Sequence, residues 1–165
     1  GAMGRDMIRN LVSVTCLDED GEIRSHPSGD LNAQYRSIPD LAHNFVLQAV
    51  FEGSPCAREE IEEKLEDARA KRRLSQPSGA SAGCIFKNPE EIPAGKLIDE
   101  LGLKNACVGD ACVSSVHANF IINRGHARAR DITILIDMIR KEAMENRGID
   151  LKSEAQVIGD REPQF

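Results

Sequence analysis

A thiol, an amine and a carboxamide fall within five residues of one another in Gly83-Cys84-Ile85-Phe86-Lys87-Asn88-Pro89. That set suits a site for a polar, anionic ligand. Glycine before it and proline after it read as a short ordered strand running into a turn. By spacing alone the same residues also fit an edge strand with a buried thiol and a solvated lysine. A different chemistry would pair Cys84 with His117 as a thiol nucleophile and its base, provided the two side chains come within hydrogen-bond reach. By residue type His117, a lone histidine in an apolar run, reads instead as a hydrogen-bonded structural residue.

Elements on both sides must position this stretch. Leu11 to Leu17 is apolar and β-branched, Asp18-Glu19-Asp20-Gly21 supplies turn residues, and Glu22 to His26 returns with alternation, which predicts a hairpin. Asn44 to Phe51 alternates again and predicts a further strand. Tyr35-Arg36 lies between them in a loop, where the plain reading is a surface tyrosine beside a solvated arginine. Ser54-Pro55 predicts a helix start, with a side-chain cap and a proline where no amide bond is lost. Ile61, Leu65, Ala68 and Leu74 keep its apolar face. Acidic residues lead this helix and Lys71-Arg72-Arg73 trail, so the helix dipole accounts for the charge run. Residues 76–83 are small and flexible and read as a linker.

Downstream, Ile92-Pro93 opens a short helix, Ala94 to Leu101, ended by Gly102. Lys104 just beyond it reads as a solvated dipole partner. Val113 to Ile122 predicts one or two buried strand segments interrupted by His117. Asp131 is expected to open the last long helix, with Ile132, Leu135, Ile136, Ile139 and Ala143 inward and Gly148 as the stop. Leu151 to Gly159 alternates and predicts a strand, with Lys152, Glu154 and Gln156 on one face.

Composition narrows the function classes. The chain has 165 residues, enough for one domain or one with part of a second, and is 41% hydrophobic, enough for an ordinary core. A net charge of −6, no tryptophan and one tyrosine argue against a nucleic-acid surface. No apolar run approaches the roughly 20 residues of a membrane span and nothing at the start reads as a signal peptide, which points to a soluble, cytoplasmic protein. Five cysteines without a Cys-x-x-Cys pair favour neither a disulfide framework nor a zinc site. Reduced thiols are expected, with Cys16, Cys56, Cys107 and Cys112 as small apolar fillers.

Five blocks stand in order along the chain. They are the Tyr35-Arg36 pair between strands, Gly-Cys-Ile-Phe-Lys-Asn-Pro at 83–89, Ala94-Gly95-x-Leu97-Ile98-Asp99-x-x-Gly102-Leu103-Lys104, Val113-Ser114-x-x-His117-Ala118-Asn119-Phe120-Ile121-Ile122-Asn123, and Glu154 in Glu-x-x-x-Ile-Gly. Together they resemble the C-terminal half of UDP-N-acetylenolpyruvoylglucosamine reductase, the MurB family of peptidoglycan synthesis. The resemblance implies an α+β fold. Residues 1–53 would hold an antiparallel strand cluster, at 8–52, belonging to part of a flavin-binding lobe, and residues 54–165 a substrate-binding domain with its own small sheet.

The chemistry so implied is reduction of the enolpyruvyl ether of a UDP-sugar by NADPH through FAD. Hydride reaches the terminal alkene carbon, charge collects on the remaining carbon and the carboxylate, and an acid protonates that carbon. The resemblance makes Arg36, Cys84 and Glu154 catalytic and assigns Tyr35, Arg73, Lys87, Asn88 and Lys104 to the substrate, with no metal. Arg73 equally fits an ordinary helix-end charge. Arg36 would fork two hydrogen bonds to the carboxylate, and Glu154 would assist polarisation or proton handling. The family commonly has serine where this chain has Cys84. A thiol, with an ordinary pKa near ~8.5, is a competent proton donor.

The family's N-terminal flavin-binding portion, with its glycine-rich phosphate loop, has no counterpart here. Gly1-Ala2-Met3-Gly4 is either an expression remnant or the family's Ala-Gly-Ala-x-Gly-like turn. FAD and NADPH therefore belong to the complete enzyme, and neither is expected on this chain alone. Expected partners are the UDP-N-acetylglucosamine enolpyruvate substrate, the missing flavin-binding portion, and a second copy through residues 8–52. The alternative is a non-catalytic UDP-sugar-binding module.

Overall fold

The computed structural model describes residues 6–158. The Gly1 to Gly4 stretch and Gly159 lie outside the described residues. The fold is α+β, with two antiparallel sheets and three α-helices among the described residues. The chain divides into two compact units, Gly1–Ala68 and Arg69–Phe165, and each is described by itself.

The first unit is a three-stranded sheet in the order β2-β1-β3, built from β1 (Leu11–Leu17), β2 (Ile23–Pro27) and β3 (Phe45–Phe51). The expected hairpin is present, with Leu17 opposite Ile23. Asp18 shapes its turn, because its carboxylate accepts the Asp20 and Glu22 N–H groups at 3.0 and 2.9 Å and pairs with Arg24 at 2.8 Å. Alternation along β1 buries Val14 and Cys16, and burial pushes the Cys16 thiol's pKa up. β3 is exposed along its whole length and forms a sheet edge.

Helix α1 runs from Arg58 to Ser75 and begins later than the Ser54-Pro55 signal suggested. Its first backbone bond joins the Ile61 N–H to the Ala57 carbonyl, and Glu59 and Glu60 occupy its first turn, where a helix dipole favours carboxylates. Arg58–Glu62 and Lys64–Glu60 pairs brace its surface. The expected apolar face is not buried: Ile61, Leu65 and Leu74 are all exposed.

The second unit holds a four-stranded sheet in the order β4-β7-β6-β5, from β4 (Ala80–Cys84), β5 (Cys107–Val108), β6 (Ala111–Val113) and β7 (Phe120–Asn123). Much of the expected linker is therefore strand: small residues 80–84 find a ladder partner in β7, which local composition could not show. Helices α2 (Ala94–Glu100) and α3 (Ala129–Arg147) contribute Leu97, Ile98, Leu135, Ile139 and Ala143 to one core with Ile85, Phe86, Val113, Ile121 and Leu151. Each fully buried Leu, Ile or Phe of this set contributes about 1.5–3 kcal/mol of transfer free energy.

Three further expectations need correction. Asp131 does not open α3 but sits in its first turn, where its carboxylate accepts the Arg128 N–H at 2.9 Å. Gly109 leaves room for that carboxylate, since a β-carbon there would lie 2.8 Å from Asp131 Oδ2. Residues 151–158 form no strand; a single bridge joins Phe86 to Ser153, because only residues 85–87 are available for pairing there. Cys107 and Cys112 are joined as a disulfide rather than reduced fillers, because the β5–β6 hairpin places them directly opposite each other. Cys56 is exposed, so it fills no core either.

Candidate active site

Cys84 closes β4 at a register shift in the β4–β7 ladder between Ser81 and Cys84. Past that point Asn119 takes over the pairing. Its carbonyl accepts the Ile85 N–H at 2.9 Å, its Oδ1 accepts the Phe86 N–H at 2.9 Å, and its Nδ2 donates to the Phe86 carbonyl at 2.8 Å. On their other side the same residues hold the C-terminal segment. The Ile85 carbonyl accepts the Glu154 N–H at 2.7 Å, and the Lys87 N–H donates to the Lys152 carbonyl at 2.9 Å. Cys84 and Glu154 are thus joined through Ile85, although 69 residues (154 − 85) separate Glu154 from Ile85 in sequence.

A cavity of about 340 Å³ opens beside Cys84, lined also by Asn88, Lys96, Asp99, Lys104 and His117. Helix α2 carries Lys96 and Asp99 to it, and the turn after the helix carries Lys104. Lys104 pairs with Asp99 at 2.6 Å and Lys96 with Glu100 at 3.8 Å, so the cavity's ammonium groups are held in place but remain partly open to solvent. Two cations and one carboxylate on the wall favour an anionic ligand. Asn88 also has a structural task, since its Oδ1 accepts the Ala94 N–H at 3.0 Å and fixes the turn that delivers α2.

His117 is held from three sides. Ser114 Oγ accepts the Val116 and His117 N–H groups at 3.1 and 3.2 Å, and His117 Nδ1 accepts the Asn119 N–H at 3.2 Å. The ring meets Phe120 edge-on at 5.0 Å. Gly95 admits it: a β-carbon at residue 95 would sit 2.7 Å from His117 Cε1. With Nδ1 engaged as an acceptor, the neutral ring carries its proton on Nε2. Nδ1 is therefore not available as a base toward Cys84.

Lys87 is half-buried and outside the cavity lining, with its N–H committed to Lys152. Arg73 sits exposed in the last turn of α1, where its charge complements the helix end. Tyr35 and Arg36 belong to the first unit, at the centre of a tight turn closed by reciprocal Gln34 and Ser37 backbone bonds of 2.8 and 3.2 Å. Arg36 has φ of 57°, and its guanidinium lies over the Tyr35 ring at 5.8 Å.

Asn119, Ser114 and Gly95 were not singled out as site residues by the sequence reading. A signal existed: Ser114, Ser115, His117 and Asn119 are polar positions in a largely apolar run, and buried polar groups must find partners. What they bind could not be read, because the partners are 33 residues away in chain order for Asn119 and Phe86. Among the described residues there is no group of three or more His, Cys, Asp or Glu able to hold a metal ion, and no helix is long and apolar enough to cross a membrane.

The model of the UDP-N-acetylenolpyruvoylglucosamine reductase C-terminal domain matches residues 75–158, which contain Cys84, the cavity and Glu154. A reductase of that name from Bacillus licheniformis is 37% identical over 164 residues, with 98% of this chain and 89% of the relative covered. This chain belongs to the UDP-N-acetylenolpyruvoylglucosamine reductase family. Another member, from Syntrophus aciditrophicus, is 37% identical over 161 residues, covering 97% of this chain and 52% of the relative. The crystal structure of the Thermus caldophilus reductase superposes with a TM-score of 0.79 at 33% identity, covering 94% of this chain and 56% of that one. The chain spans about half the length of most curated reductases it matches.

Proposed function

We propose that this chain supplies the substrate-binding and proton-donating part of a cytoplasmic UDP-N-acetylenolpyruvoylglucosamine reductase. Residues 1–53 would belong to the flavin-binding lobe and 54–165 to the substrate domain. The observation that carries the reading is the linkage of Cys84 and Glu154 through Ile85, beside a cavity walled by Asn88, Lys96 and Lys104. In this reading Lys104 and Asn88 hold the anionic nucleotide portion, with Lys87 and Arg73 adding positive charge along its approach. Cys84 gives its S–H proton to the substrate carbon where negative charge collects, and the thiolate regains a proton from solvent. Glu154 assists that transfer, and Arg36 with Tyr35 receives the enolpyruvyl carboxylate.

FAD and NADPH are the family's redox groups, and the described residues of the first unit do not fit the flavin. Gly21, Gly29 and Gly53, the described glycines of the first unit, are scattered, and Gly21 is spent on the β1–β2 turn. They make no cradle for the cofactor's phosphates. The purified chain is expected to be colourless and inactive toward NADPH. Partners in this reading are UDP-N-acetylglucosamine enolpyruvate, the flavin-binding portion, and a second copy through the open edge of β3.

The test is made in two parts. Calorimetry of this chain with UDP-N-acetylglucosamine should show binding that Lys104→Ala weakens. In the complete enzyme Cys84→Ser should retain substantial turnover, while Cys84→Ala should lose kcat by about 10²–10⁴-fold with little change in binding. Unchanged turnover in Cys84→Ala would remove the thiol from the mechanism and leave a UDP-sugar-binding module as the better reading.

A further inference from the structure

The C-terminal segment carrying Glu154 forms no strand, and hydrogen bonds tie it to residues 85–87 beside the site. These are the Glu154 and Ala155 N–H groups on the Ile85 carbonyl at 2.7 and 3.3 Å, Ser153 Oγ on the same carbonyl at 3.4 Å, and the Lys87 N–H on the Lys152 carbonyl at 2.9 Å. Ile85 and Phe86 are in turn held by Asn119. Its carboxamide is 2% exposed and is used in both directions, accepting from the Phe86 N–H and donating to the Phe86 carbonyl. The β4–β7 ladder shifts register between Ser81 and Cys84 and ends at Cys84, and beyond it a side chain performs the pairing that a regular strand would perform with its backbone.

We propose that Asn119 is the positioning residue of the site. Its carboxamide fixes the strand continuation after Cys84, and that continuation sets Cys84 and Glu154 relative to each other. This rests on the reading of Cys84 and Glu154 as the working pair. Asn119 also lines the cavity, but its carboxamide is committed to Phe86, and the proposed role runs through Ile85 and Phe86. The dual donor and acceptor use explains why a carboxamide stands there: an apolar side chain would strand both Phe86 backbone groups, and a carboxylate would face the Phe86 carbonyl with a second acceptor.

Asn119→Asp provides a diagnostic that simple destabilisation would not mimic. The ionised carboxylate keeps the acceptor and loses the donor. The protonated acid restores a donor toward the Phe86 carbonyl, so the defect should reverse on acidification. The experiment uses this chain with Cys56→Ser, which leaves half-buried Cys84 as the reporter and buried Cys16 as the other free thiol. Two readouts are taken against the parent at each pH: hydrogen exchange of the Glu154 amide by NMR, and the rate of Cys84 alkylation by iodoacetamide. In Asn119→Asp at neutral pH the Glu154 amide should lose protection by about tenfold or more, the factor expected when roughly one hydrogen bond's worth of free energy is lost. The Cys84 rate should change with it. Both should return toward the parent as pH falls.

Asn119→Ala should show the same losses without recovery at any pH. If that variant does not fold, Asn119→Asp alone decides the matter, because its recovery is internal to one protein. Parent-like Glu154 protection and Cys84 reactivity in neutral Asn119→Asp would overturn the proposal. So would a loss that acidification leaves untouched, or a change confined to the Phe86 amide. Failure of UDP-N-acetylglucosamine to bind a chain with both readouts intact would count instead against the functional reading.

Discussion

The two sheets of this protein use similar residues to opposite ends. β3 is Phe-Val-Leu-Gln-Ala-Val-Phe and is exposed along its whole length, whereas β6 is Ala-Cys-Val and is wholly buried. Of the 18 buried hydrophobic residues among those described, Val14 and Cys16 belong to the first unit and the others to the second. The second unit has α2 and α3 to lay over its strands, and their apolar faces close a core; α1 buries none of its residues. Hydrophobic strand sequence makes a strand in both places, but only a facing layer makes a core. An uncovered apolar edge strand is a template for another chain.

The largest expected effect separates the two units directly. Leu97→Ala, in the second core, should cost about 2–5 kcal/mol, while Leu47→Ala on exposed β3 should stay within about 0.5 kcal/mol in the monomer. Denaturant titration at low protein concentration checks both, and similar costs would break the contrast. Next comes the packing of α2 on the site. Gly95→Ala drives a methyl group into the His117 ring and should cost about 1–3 kcal/mol. In a His117→Ala background the same substitution should cost much less. Additive losses in that cycle would show that the ring is not what the glycine accommodates.

Self-association sharpens the comparison from the other side. The chain is expected to form dimers or larger species in a concentration-dependent way. Leu47→Lys should weaken them about tenfold, or roughly 1.4 kcal/mol, by placing a charge on the exposed strand. Sedimentation velocity over a wide concentration range would show a clean monomer in the parent if β3 is not sticky. The smallest effect is electrostatic. The hydrogen bond from Lys152 holds the Asp150 carboxyl below its ordinary pKa, with Arg140 adding to the effect. A folded-state pKa below the unfolded value of about 3.9 means stability that is present above that value and lost as pH falls through the folded one. Asp150→Asn should therefore flatten the acid limb of a Tm–pH curve between about pH 5 and pH 2. An unchanged limb would mean that the pair is too well solvated to matter.

Several features of the site were legible in single residues. Cys84, Asn88 and Lys104 line one cavity, and the helix expected over 94–101 from its proline start and glycine stop is observed over Ala94–Glu100. The strands interrupted by His117 are likewise present, because alternation and turn residues act over a few positions and leave a local record. The errors share one cause. Ser54-Pro55 marks the approach to α1 rather than its start, residues 80–84 pair as a strand despite small flexible residues, and 151–158 alternates without a sheet to join. In each case local pattern offered a conformation and a distant partner accepted or refused it.

Sequence by itself determined the hairpin and the burial stripe of α3, since these depend on side-chain chemistry at spacings of two to four residues, and through the family blocks it implied the α+β class. Tertiary structure alone decided that Cys107 faces Cys112, that α1 has nothing to cover, and that Glu154 hangs from Ile85. It also decided that the Asn119 carboxamide would be spent on Phe86 rather than on solvent. The physical reason is that a backbone amide has no identity in sequence: every residue but proline offers the same donor and acceptor, and only the folded chain fixes which ones meet.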